Sequence, residues 1–117
     1  MFLKDKFYKV TKEDVSGTSA TYTLAILPNC SVYDGHFPGN PVCPGVCNMQ
    51  TILECAMMLT GKSLHYNTIK QCRLTAIATP EVCPEVTVSV SVDESYTILA
   101  EIKDSKQTYM TLKGTVQ

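Results

Sequence analysis

The sequence has no tryptophan, only two histidines and no surplus of either charge, with 10 basic and 11 acidic residues. A nucleic-acid-binding domain usually carries a basic surplus, so this balance argues against nucleic acid as a partner. No stretch approaches the roughly 20 consecutive apolar residues of a membrane span. The first ten residues alternate charged and apolar side chains, which is unlike a signal peptide. The sequence therefore predicts a cytoplasmic protein that contacts neither membrane nor nucleic acid.

The sequence also lacks a C-x-x-C pair, although it contains six cysteines. Zinc sites need closely spaced ligand pairs, so we expect no metal ion. Without a secretion signal, the cysteines are expected to be reduced and structural. Cys43 is the exception. It lies near a predicted helix start, which lowers a thiol pKa, so we expect it to be the most reactive cysteine if a pocket exposes it.

The pattern of apolar residues predicts an α+β fold in one domain, residues 1–117. Helical spacing of apolar residues indicates a long helix over 45–60, with apolar residues on almost every side, so it should be buried. Valines that alternate with threonine and serine indicate an antiparallel sheet wrapped around this helix. The expected strands are residues 6–13, 18–27, 66–79, 85–93, 95–103 and 106–116.

The segment before the helix contains the residues best suited to chemistry. Residues 28–44 hold four of the six prolines, which indicates a long loop with fixed turns. His36 lies in this loop, and its unperturbed pKa of about 6.5 suits acid–base chemistry near neutral pH. The predicted helix starts at Pro44 and Gly45, where unpaired backbone N–H groups can hold an oxyanion.

The run HFPGNPVCPGV, from His36 to Val46, resembles the signature of the 3-hydroxyacyl-acyl-carrier-protein dehydratases. Cys43 stands where that signature usually has methionine. The resemblance implies a hotdog fold and a homodimer or larger homo-oligomer with active sites between the subunits. It also implies a lyase that reversibly removes water from a 3-hydroxyacyl thioester, linked to acyl carrier protein or CoA, to give a trans-2-enoyl thioester. No metal or redox cofactor is implied.

The resemblance also suggests roles for individual residues. His36 would be the catalytic base, and the Gly45 amide would bind the thioester carbonyl oxygen, with Phe37, Pro44 and Val46 in the substrate site. The family's acid stands fourteen residues after the histidine, and there this chain has Gln50. Glu54 follows one helical turn later, at a position where the dehydratases commonly carry glutamine.

This exchange leaves the origin of the second proton open. Gln50 forms hydrogen bonds but cannot deliver a proton at neutral pH, which weakens the dehydratase assignment. Glu54 lies on the same helix face and is either the proton donor or a purely structural residue that orders the helix. Two rival functions follow: a hotdog acyl thioesterase, and a degenerate hotdog subunit that binds acyl carrier protein or pairs with an active partner.

Overall fold

The computed structural model describes residues 2–35, 39 and 42–117. The predicted order of elements is confirmed, and the helix has the predicted bounds. Strand β3 ends at Leu74, short of the predicted residue 79, and a 3₁₀ turn occupies Ser31–Asp34. The elements are β1 Tyr8–Ser16, β2 Ser19–Ile26, α1 Gly45–Thr60, β3 Tyr66–Leu74, β4 Glu85–Val92, β5 Thr97–Lys103 and β6 Thr108–Val116.

The six strands form one antiparallel sheet in the order β1-β2-β4-β5-β6-β3. Helix α1 packs against β2, β4 and β5. Strand β4 shows why the sheet has two different faces: its four valines are buried, while Thr87, Ser89 and Ser91 alternate with them and stay half-buried. The alternation of valine with threonine and serine therefore identifies the face of the sheet that covers the helix.

Aspartates close two of the hairpins, between β4 and β5 and between β5 and β6. The Asp93 side chain accepts hydrogen bonds from the backbone amides of Ser95 and Thr97, both at 2.9 Å. The Asp104 side chain accepts from Lys106 and Gln107 in the same way, at 2.8 and 3.0 Å. A short carboxylate that bonds to the backbone a few residues ahead is a common device for fixing a turn.

Helix α1 is buried in its middle, as its sequence predicts, and is less enclosed towards its ends. Thr51–Ala56 are six consecutive buried residues, which cover every side of a helix, whereas Val46 is 73% exposed and Met49 and Met57 are half-buried. The exposed apolar surface of the helix therefore lies at its start. Among the described residues, no helix is long and apolar enough to cross a membrane.

Strand β3 forms an open edge of the sheet. It pairs with β6, and eight of its nine residues are exposed, including Ile69 at 40% and Leu74 at 54%. The register places Ile69 opposite Gly114, Cys72 opposite Leu112 and Leu74 opposite Met110. Since all three of these β6 residues are buried, the three β3 side chains lie on the helix-facing side of the sheet, beyond the reach of the helix itself.

All six cysteines are free thiols, as expected. Cys43 was expected to be reactive only if a pocket exposes it, and the structure shows that it is buried. Its sulfur lies 3.4 Å from the hydroxyl of Tyr33. Burial raises the pKa of Cys43 to about 11, although the hydrogen bond with Tyr33 acts in the opposite direction. Cys72, on the exposed edge strand, is the accessible thiol.

Candidate active site

The start of helix α1 presents backbone N–H groups without a side-chain cap. Pro44 is the N-cap residue, and its carbonyl accepts hydrogen bonds from the amides of Cys47 and Asn48, at 3.0 and 3.1 Å. The two preceding amides, of Gly45 and Val46, therefore point out of the helix end. No acidic residue lies in the first turn, so the positive end of the helix dipole is not neutralised there. This is the environment that stabilises a developing oxyanion.

Gly45 has no structural need to be glycine within the described chain. Its φ is not positive, and a Cβ built on it would meet nothing within 4 Å. Any residue would fit there as far as this chain's own packing is concerned. A position without a side chain instead leaves the helix end open to close approach by another molecule.

Gln50 and Glu54 are in direct contact on one face of the helix. The Gln50 side-chain nitrogen Nε2 donates a hydrogen bond to Oε2 of Glu54, at 2.9 Å. Because the amide group is planar, this contact turns the Gln50 carbonyl oxygen away from the carboxylate. Gln50 is half-buried, whereas Glu54 is only 3% exposed.

The Glu54 carboxylate accepts three further hydrogen bonds, all from the N-terminal segment. The backbone amide of Leu3 donates to Oε2 at 2.8 Å, and the amide of Lys4 donates to Oε1 at 2.9 Å. The Tyr8 hydroxyl donates to Oε1 at 2.7 Å. With Gln50, three of the four partners are N–H groups that can only donate, so the carboxyl group serves as an acceptor.

Burial and the contact with Glu54 both favour the protonated form of Tyr8. Burial raises the pKa of the Tyr8 phenol, and the hydrogen bond to Glu54 raises it further. The hydroxyl therefore keeps its proton near neutral pH and can donate it in a hydrogen bond to Glu54.

The structure brings five of the seven sequence-predicted site residues together on one helix. Pro44, Gly45 and Val46 form its start, while Gln50 and Glu54 lie one and two turns further along. His36 and Phe37 lie outside the described residues.

Sequence reasoning missed the groups that surround this helix. Nothing local links Leu3, Lys4 or Tyr8 to a residue about fifty positions away. The Tyr66 hydroxyl, which donates to the Met49 carbonyl at 2.6 Å and ties the start of β3 to the helix, was also missed. One signal was available: a glutamate on the buried side of a helix requires hydrogen-bond donors.

In the described ranges, no three His, Cys, Asp or Glu side chains are grouped to hold a metal ion.

Solved structures with the same architecture define the fold class. The dehydratase heterocomplex ApeI:P from Xenorhabdus doucetiae contains a chain that matches with a TM-score of 0.80 at 18% identity, over 93% of this chain and 96% of that one. An uncharacterised protein from Erwinia carotovora matches with a TM-score of 0.72 at 14% identity, over 94% and 95% of the two chains. The protein therefore has the hotdog fold that its sequence motif implies.

Sequence comparisons give the family. The profile of the ApeI-like family, described as ApeI dehydratase, matches residues 12–113. The chain therefore belongs to the ApeI-like dehydratase family. It is also 34% identical over 71 residues to the 3-hydroxyacyl-acyl-carrier-protein dehydratase FabZ of Lactiplantibacillus plantarum, and 32% identical over 71 residues to FabZ of Levilactobacillus brevis. Each match covers 55% of this chain and 48% of the relative, so the chain spans about half the length of these relatives.

Proposed function

We propose that this chain, as one domain of residues 1–117 in the cytoplasm, catalyses the reversible dehydration of 3-hydroxyacyl thioesters to trans-2-enoyl thioesters. The supporting observation is the match of the dehydratase family profile to residues 12–113, which contain the run HFPGNPVCPGV. The substrate is a thioester linked to acyl carrier protein or CoA. The reaction requires no metal or redox cofactor, because the thioester itself acidifies the α-proton.

The first step of the proposed mechanism removes the α-proton. The neutral imidazole of His36 takes this proton, and the electron pair of the C–H bond moves towards the thioester carbonyl. Negative charge develops on the carbonyl oxygen, which the Gly45 amide and the positive end of helix α1 stabilise. The second step breaks the bond between C3 and its hydroxyl group.

The departing hydroxyl needs a proton, and in this chain that proton returns from His36. The imidazolium formed in the first step donates it to the hydroxyl oxygen, water leaves, and the C2–C3 double bond forms. One group can serve both transfers when the proton and the hydroxyl leave from the same face of the substrate. Gln50 holds the hydroxyl by a hydrogen bond, while Glu54 acts through Gln50.

The test of this function uses the purified protein and a short trans-2-enoyl thioester of CoA in ¹⁸O-labelled water. A dehydratase is supported if the enoyl absorbance is lost, ¹⁸O appears in the 3-hydroxyl group and no free thiol is released. Release of thiol with ¹⁸O in a carboxylate overturns it in favour of a thioesterase. Binding of acyl carrier protein without turnover overturns it in favour of a degenerate binding subunit.

The active unit in this proposal is a homodimer. Strand β3 offers a free edge and exposed apolar side chains on the helix-facing side, and Val46 is exposed at the helix start. An exposed edge strand with apolar residues is a site where another chain pairs. A second copy paired along β3 would extend the sheet and cover the start of the helix, between Val46 and Gln50.

Leu74→Lys should therefore convert the dimer into a monomer and abolish turnover, because a charge would be buried where the strands pair. Leu99→Lys is the matched control. Leu99 is 48% exposed, close to Leu74 at 54%, but it lies on the opposite face of the sheet. Sedimentation velocity at micromolar concentration measures both variants. A wild-type monomer, or a Leu74→Lys dimer with full activity, would rule out the shared site.

Pairing with a different hotdog subunit is a second candidate, and Gln50 favours it. In a homodimer both sites contain Gln50, whereas a different subunit can supply a carboxylate in its place. The similar ApeI:P structure is itself described as a heterocomplex. This candidate predicts that the homodimer is inactive alone and that the double variant Gln50→Glu, Glu54→Gln gains activity.

A further inference from the structure

The N-terminal segment Leu3–Tyr8 is attached to the helix at the point where the candidate active site lies. We propose that this segment and Glu54 together fix the orientation of the Gln50 side chain, which makes Glu54 and Tyr8 positioning residues for the reaction. The inference rests on the proposed function for its effect on catalysis. The fixed orientation of the Gln50 amide is supported by the hydrogen bonds alone and does not depend on the proposed function.

The orientation of Gln50 matters because the two ends of an amide are chemically opposite. Its oxygen accepts hydrogen bonds and its nitrogen donates them, so a half-turn of the amide exchanges the two properties. Glu54 accepts from the nitrogen at 2.9 Å, which selects one of these two orientations. The substrate hydroxyl must donate to the oxygen if its own oxygen is to receive the proton from His36.

Glu54 can perform this task because the N-terminal segment holds it. The segment folds back on itself: the amides of Lys6 and Phe7 both donate to the Leu3 carbonyl, at 3.0 and 2.8 Å. Asp5 has a φ of 67°, in the left-handed region, and its amide donates to the Tyr8 carbonyl at 2.7 Å. This turn aims two successive backbone amides at one carboxylate, an arrangement that binds anions well.

Three variants separate positioning from proton donation. Glu54→Gln can keep its carbonyl oxygen towards Leu3 and Gln50 and loses the bond from Lys4, so it preserves the Gln50 orientation although it cannot donate a proton in catalysis. Glu54→Met has a similar length but accepts no hydrogen bond from Gln50. Tyr8→Phe removes one of the four hydrogen bonds and keeps the buried ring.

We expect Glu54→Met to lower kcat by about 100-fold, which is the loss that a small misplacement of a reacting group causes. Glu54→Gln should lower kcat by less than about tenfold, and the kcat of Tyr8→Phe should lie between those of wild type and Glu54→Met. KM should change little, because the Gly45 amide is untouched. Leu24→Ala, a buried residue of β2 outside this cluster, controls for lost stability and should keep the wild-type kcat in its folded fraction.

Nuclear magnetic resonance provides a readout that does not depend on activity. The Gln50 side-chain amide, assigned by its loss in Gln50→Met, should show slow proton exchange in wild type and Glu54→Gln. Exchange should be fast in Glu54→Met and unaffected in Leu24→Ala. The backbone amides of Leu3 and Lys4 should lose protection in the same variant.

Two results would overturn the inference. If Glu54→Gln is as inactive as Glu54→Met while both remain folded, Glu54 is the proton donor instead. If the Gln50 amide exchanges rapidly in wild type, Glu54 does not fix it. A wild-type protein that turns over no hydroxyacyl or enoyl thioester defeats the proposed function, and the exchange data then still decide whether the amide is held.

Discussion

Replacing His36 by alanine should lower kcat for enoyl-thioester hydration by about 10⁴-fold, at the upper end of the range for a general acid or base. In the proposed mechanism this one imidazole makes both proton transfers. Gln50 has no proton to give, and the four hydrogen bonds to Glu54 occupy its carboxylate. KM should remain near the wild-type value, since the helix start that binds the carbonyl oxygen is unchanged.

His65→Ala is the matched control, because the chain has only two histidines. The His65 side chain is exposed, and the residue is tied to Gln117 through backbone hydrogen bonds that alanine would keep, at 2.8 and 2.9 Å. This variant should retain full turnover. A His36→Ala protein that keeps more than about a tenth of the wild-type kcat would show that another group performs the proton transfers.

Gly114→Ala should destabilise the protein by about 3 kcal/mol, at the upper end of the usual range for overpacking. Gly114 lies on β6 opposite Ile69 of β3, next to irregularities in the β3–β6 register. A Cβ at this position would collide with the backbone carbonyl oxygen of Thr68 and lie 3.1 Å from the Ile69 Cα. These are backbone atoms, so the clash is relieved only if β3 moves away from β6.

Urea denaturation measures this loss of stability as a lower midpoint with an unchanged slope. Gly35→Ala is the control, since Gly35 has a φ of −104° and a Cβ there meets nothing within 4 Å. A Gly114→Ala protein as stable as Gly35→Ala would show that the two strands separate without penalty. The same displacement of β3 should weaken the proposed dimer.

Much of the fold is predictable from local patterns in the sequence. The spacing of apolar residues, with Pro44 before the helix and a glycine after it, predicts the helix bounds. That glycine, Gly61, adopts a φ of 70° at the C-cap. The alternation of valine with threonine and serine identifies β4 and its buried face. These features succeed because each depends on residues only a few positions apart.

The surroundings of the site were not predictable in this way. Glu54 gains its partners from Leu3, Lys4 and Tyr8, and no periodic pattern connects residues so far apart in the chain. Two of these partners are backbone amides, which carry no sequence signature at all. The burial of Cys43 was left open for a related reason: tertiary packing buries it, and its position near the helix start does not reveal that.

The placement of β3 affects the order in which the chain can fold. Strand β3 comes before β4, β5 and β6 in the sequence, yet its partner in the sheet is β6. The pairing of β3 with β6 should therefore form after the β4–β5 and β5–β6 hairpins, because closing a long loop is slow compared with forming a hairpin. Until then the backbone groups of β3 that later pair with β6 are unpaired, next to apolar side chains that are exposed even in the folded chain. Refolding should include a late phase, and crowded or overexpressing conditions favour aggregation through this strand before it docks.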